Sequence, residues 1–124
     1  MSTPTCTVDD VVREVRQLAE ANPDCTYDKP EDAMACMYGQ GECANGSQGC
    51  IVGQALARLG FAADYLDSFG VLTAENLLKS LGLAKAGEVD GRLDWLNGVQ
   101  DCQDNGHPWG YAVECVDNEL TADC

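Results

Sequence analysis

Apolar residues first return at helical spacing behind Thr7. Val8, Val11, Val12, Val15, Leu18 and Ala19 mark one side, while Asp10, Arg13, Glu14 and Gln17 take the other. Thr7 and Asp10 stand where a capping box needs its two ends, with Asp in place of the usual Glu. Asn22-Pro23 cannot continue a helix, so the spacing predicts one that stops at Ala21. The period then vanishes. From Pro23 to Gly49 the chain holds two Pro, four Gly and three Cys. Cys25-Thr26-Tyr27 and Met34 to Tyr38 are its strand-like segments and are expected to pair as a small ribbon. Gly39 to Gly49 reads as a loop with a tight turn at Asn45-Gly46.

Helical spacing resumes at Cys50. Ile51, Val52, Ala55, Leu56 and Leu59 share a face, and Gly60 stands where a helix end takes a left-handed residue. Phe61 to Phe69 predicts a further short helix closed by Gly70. Thr73 caps one over Ala74 to Leu81, which Gly82 ends. A longer helix is expected from about Glu88 to Gln103, with Val89, Leu93, Leu96, Val99 and Cys102 on one side. Gly91 and Gly98 weaken it, which predicts close packing at both. Pro108 suits a first helical position, and Trp109, Ala112, Val113, Val116 and Leu120 form the stripe of a last helix. The expected fold is mainly α: a compact bundle of five or six short helices with an irregular, ribbon-bearing insertion at about 23–49. The 124 residues make one domain, with a flexible start at 1–6.

Charge narrows the partners. There are 21 acids against 7 Lys and Arg, a net charge of -14, and from Asp101 to Cys124 no Lys or Arg occurs. Such a surface repels phosphate backbones and anionic lipid, so direct nucleic-acid or membrane binding is not expected. The ordinary reading is solubility. The sharper one is an acidic decoy that occupies the basic groove of a host DNA-binding protein. The N-terminus carries no basic region followed by an apolar one, and no apolar run is long enough to span a membrane, so a cytoplasmic location is expected.

Eight cysteines are many for a reducing compartment, where thiols or metal ligands are expected before a disulfide framework. Cys25, Cys36, Cys43 and Cys50 fall close together in the irregular region. Their spacings lack the tight pairs of a structural zinc site, so a cysteine-based metal (zinc or iron–sulfur) or redox module is an alternative to separate buried thiols, as is a disulfide across the ribbon. Cys50 opens a helix, where free amides favour a thiolate. His107 precedes the last helix, and a cysteine enzyme would need the two in hydrogen-bond reach. Spacing does not bring them together, so no catalytic constellation is assigned and no cofactor is expected. Gly39-Gln40-Gly41 lacks the rest of a phosphate loop. Trp95 lies obliquely to its helix's apolar face and is the candidate anchor for a partner, with Asp101, Asp104, Glu114 and Asp117 as acidic candidates.

Three phrases carry a resemblance. They are Gly49-Cys50-Ile51-Val52-Gly53-Gln54-Ala55-Leu56 with Leu59-Gly60, then Trp95-Leu96 to Val99-Gln100, and Gln103-Asp104 through Gly106 to Pro108-Trp109-Gly110. Together they resemble small uncharacterised proteins of actinobacteria and their phages, of mycobacteriophage type, over about Val8 to Val116. The resemblance transfers no catalytic residue. It implies an accessory protein acting inside a bacterial host by binding a host protein, alone or as a homodimer. The leading expectation is therefore a non-enzymatic, protein-binding chain.

Overall fold

The computed structural model describes residues 6–28, 42–43, 49–69, 73–85 and 91–118, with backbone alone for Asp28, Glu42, Cys43 and Ala63. It is mainly helical, as the spacing predicts. Helix α1 spans Val8–Ala21. Its capping box is complete: the Thr7 amide donates to Asp10 Oδ2 at 2.9 Å and the Asp10 amide to Thr7 Oγ1 at 3.2 Å. Two of the amides that every helix start leaves unpaired are thereby satisfied. Val8, Val11, Val15, Leu18 and Ala19 face the core. Cys6, the one described residue of the expected flexible start, packs against that core.

After the Asn22-Pro23 break, the backbone runs past the start of α6 (Trp109–Asp117). The Trp109 amide donates to the Cys25 carbonyl at 2.8 Å, and the Gly110 amide to the Pro23 carbonyl at 2.9 Å. Pro108 has no amide to donate and sits one place earlier than expected, at the N-cap. The next segment forms β1 (Tyr27–Asp28), which pairs antiparallel with β2 (Glu42–Cys43), Tyr27 opposite Cys43 and Asp28 opposite Glu42. A ribbon exists; Met34 to Tyr38, the expected partner strand, lies outside the described residues, and the partner that the structure describes is Glu42-Cys43. It falls in the stretch expected to be loop. Glu42-Cys43 is too short to show an alternating pattern, so no sequence signal marked it.

Helix α2 (Ile51–Arg58) ends in a full Schellman closure, with the Gly60 amide on the Ala57 carbonyl and the Phe61 amide on the Leu56 carbonyl, both at 3.1 Å. Phe61 is buried by that closure instead of starting a helix, and α3 is only Ala63–Asp67. Helix α4 (Ala74–Ser80) starts at Thr73, whose hydroxyl accepts from the Asn76 amide, and closes as α2 does at Gly82 and Leu83. Helix α5 (Gly91–Asp104) is the hub of the bundle and packs on α1, α2, α4 and α6. Its expected start at Glu88 and the core position Val89 lie outside the described residues. A Cβ on Gly91 would meet nothing within 4 Å, so the expected close packing there is absent. Gly91 opens the described part of the helix.

The core gathers Val11, Val15, Ile51, Leu56, Leu77, Leu96, Val99 and Trp109, each inaccessible to solvent. At about 1.5–3 kcal/mol for each large side chain removed from water, this set supplies the main force for folding.

Candidate functional site

Four segments meet where α5 ends. Cys102 and Gln103 lie in its last turn, both buried. The helix closes at Gly106, whose φ of 92° suits a residue without a Cβ. There the Gly106 amide donates to the Gln103 carbonyl at 3.0 Å and the His107 amide to the Cys102 carbonyl at 3.2 Å. The side chain of Gln103 reaches across to α2. Its Oε1 accepts from the Ile51 amide at 2.7 Å, and its Nε2 donates to Asp104 Oδ1 at 2.9 Å. Helix α2 needs this help because Cys50, its N-cap residue, makes no capping hydrogen bond. Gly110 completes the junction, since a Cβ there would lie 2.9 Å from Pro23 Cβ and 3.0 Å from its carbonyl oxygen.

The described cysteine side chains are of two kinds. Cys6, Cys25, Cys50 and Cys115 are free thiols, the last three buried. Cys102 is disulfide-bonded to a cysteine outside the described side chains. The expectation of thiols and ligands in place of disulfides therefore fails at this residue, which sequence spacing left as one more member of an apolar stripe. Burial, and then the charge of Asp10, push the Cys6 thiol above its ordinary range.

The candidate nucleophile and base are not joined. Cys50 has no exposed surface, and no hydrogen bond links it to His107. The His107 imidazole instead lies against the Tyr111 ring, centroids 4.9 Å apart. A nucleophile must meet its substrate and its base, and in this fold Cys50 meets neither. Of the four candidate metal ligands, Cys36 and the Cys43 side chain lie outside the described residues. Cys25 and Cys50 are the free thiols above, and the Cys25 thiol points to the Thr26 carbonyl at 3.7 Å. No group of three potential ligands occurs among the described residues.

Trp95 proves to be part of a clamp. Its Nε1 donates to Asp117 Oδ1 at 2.8 Å, and the Arg16 guanidinium lies over the ring at 4.5 Å from the centroid. Arg16 also grips both oxygens of Asp117 at 2.9 Å, so one carboxylate ties α1, α5 and α6 together. The Arg16 hydrogen bond holds the Asp117 carboxyl below the usual carboxylate range, with the Trp95 N–H adding to it and burial opposing. Trp95 is half-buried against the core and its face is covered, which removes it as a bare anchor. Asp117 is spent in the same contact. Asp104 is bonded to Gln103, whereas Asp101 and Glu114 face solvent.

The bases are nearly all used inside the molecule. Arg13 pairs with Asp10, Arg16 with Asp117, Arg58 with Glu14, Lys79 with Glu75 and Arg92 with Asp9. Lys85 also has a partner, and Lys29 lies outside the described residues. Glu20, Asp24, Asp64, Asp94, Asp101 and Glu114 are exposed and take no cation among the described residues.

No match to the chain is found among models of protein families, curated proteins or solved structures. No helix among the described residues is long and apolar enough to cross a membrane. Sequence reasoning missed Gln103, Arg16 and Gly110. No sequence signal marks Gln103 as the cap, because its place opposite the start of α2 is set by the fold.

Proposed function

We propose that this chain is a non-enzymatic accessory protein of phage type that works in a host cytosol by binding a basic surface on another protein. One observation carries the reading. The five ion pairs consume the bases internally, so the charge turned outward is that of uncompensated carboxylates. Asp94 and Asp101 lie seven positions apart on α5, which puts both on one side of the helix, and Glu114 is exposed on the adjoining α6. A basic partner gains attraction from such a face, while phosphate and anionic lipid are repelled.

The test is capture from a bacterial host lysate on immobilised protein, at low and high salt, beside a variant carrying Asp101→Lys and Glu114→Lys. A partner retained at low salt, released at high salt and lost to the variant supports the reading. A partner that duplex DNA displaces identifies the decoy form of the same function. Capture indifferent to salt and to both substitutions, or turnover of a substrate without any partner, refutes it.

A further inference from the structure

Among the described residues the pair Asn-Gly occurs twice, as Asn97-Gly98 and as Asn105-Gly106. Asparagine is chemically labile, and most so before glycine, whose amide nitrogen has no Cβ beside it to block approach to the asparagine side chain. How firmly the surrounding structure holds the two groups decides whether they react, and the fold sets the two pairs apart. Asn97 is half-buried inside α5, and its side chain is tied at both ends. Its Oδ1 accepts from the Glu75 amide at 2.9 Å, and its Nδ2 donates to Glu75 Oε1 at 3.3 Å. Gly98 stands mid-helix, where backbone amides belong to the helical ladder. Asn105 and Gly106 follow the last residue of α5, and both are exposed. The Gly106 amide donates to the Gln103 carbonyl at 3.0 Å, a turn-type bond of the kind that opens when a helix end frays. A Cβ on Gly106 would meet nothing within 4 Å, so this side of the backbone has room for a ring to form.

We propose that Asn105 is a self-modification site, at which the Gly106 amide drives deamidation and adds a carboxylate at the end of α5. In the first step the Gly106 amide gives its proton to solvent base, and its nitrogen bonds to the side-chain carbonyl carbon of Asn105. The bond from that carbon to the side-chain nitrogen breaks. Ammonia leaves with a proton returned by solvent, and a five-membered succinimide remains. Water then adds to one of the two ring carbonyls, and the bond from that carbon to the Gly106 nitrogen breaks, with a proton passing to the nitrogen. Opening at the side-chain carbonyl leaves aspartate; opening at the main-chain carbonyl leaves isoaspartate. One water is consumed and one ammonia released, with no change of oxidation state, and either product carries the new carboxylate. The Asn105 amide donates to the Asp101 carbonyl at 3.1 Å, so Asn105 continues the helical turn and lies on the side of α5 that presents Asp101. A stronger pull on a basic partner would rest on the binding reading above; the modification itself does not.

The experiment incubates the full chain at mildly alkaline pH, native and in urea, and follows both asparagines by peptide mapping. Conversion is read as the mass gain of amide to acid, and the isoaspartyl product by enzymatic methylation of its carboxylate. In the native protein Asn105 should convert roughly tenfold or more faster than Asn97, because opening a helix interior costs more than fraying its end. In urea the two rates should converge, since the contacts that separate the pairs are then lost. Asn105→Gln should remove the acidic form that accumulates on isoelectric focusing, because the longer side chain closes its ring far more slowly. Equal native rates, a faster Asn97, or an Asn105 that stays intact in the native chain while converting in urea overturns the proposal. So does a rate difference that persists unchanged in urea, because neighbouring sequence and not the fold then selects the site. None of these measurements involves a partner, so a failed lysate capture refutes the binding function and leaves this site standing.

Discussion

The amide of Ile51 is capped at 2.7 Å by Oε1 of Gln103, a residue 52 positions away on another helix. A helix start is ordinarily capped by its own N-cap side chain, and here the first turn of α2 depends on tertiary contact instead. Gln103→Ala should strand a buried N–H and leave a void. The expected loss is about 2–3 kcal/mol, read as a lower urea midpoint at unchanged slope. A change under about 0.5 kcal/mol would mean that water or another group satisfies Ile51 as well.

Gly110 and Gly91 should answer the same substitution in opposite ways. A Cβ at Gly110 falls 2.9 Å from Pro23 Cβ, beside the amide bond that docks α6 on the Pro23 carbonyl. Gly110→Ala should therefore cost about 1–3 kcal/mol. A Cβ at Gly91 meets nothing within 4 Å, and the residue is helical, so Gly91→Ala should gain about 0.4–1 kcal/mol. Thermal unfolding of the two variants checks both signs.

Asp117 sets an acid limb of stability. The Arg16 hydrogen bond lowers its folded pKa, so its contribution is present above its unfolded value near ~3.9 and fades as pH falls through the folded one. Asp117→Asn should flatten the stability profile below about pH 4. The cost at neutral pH should stay under about 1 kcal/mol, because the paired side chains are 47% and 37% exposed. Loss of the negative charge beside the Trp95 N–H should also shift tryptophan emission. A profile unchanged at low pH would show that the clamp contributes nothing to folding.

Thr7→Ala should cost about 1 kcal/mol by removing the oxygen that accepts the Asp10 amide. Amide exchange at the first turn of α1 should quicken, with the later turns spared. Uniform quickening along α1 would place the effect in global stability and not in the cap.

Local chemistry was legible where a helix carries its own instructions. The Thr7–Asp10 box, the Asn22-Pro23 stop, the Thr73 cap and the endings at Gly60 and Gly82 are all set by neighbours within six positions. Short-range sterics and hydrogen bonding therefore announce them in the chain's own order, and the net charge of -14 is likewise a property of composition. The partner of β1, the cap on α2, the clamp on Trp95 and the bridge at Cys102 belong to a different class. Each joins residues brought together by burial of the apolar faces, and no local pattern distinguishes Gln103 from a solvated glutamine or Cys102 from one more core residue. Packing assigns those roles, because a buried polar group or thiol takes its meaning from the segment laid against it.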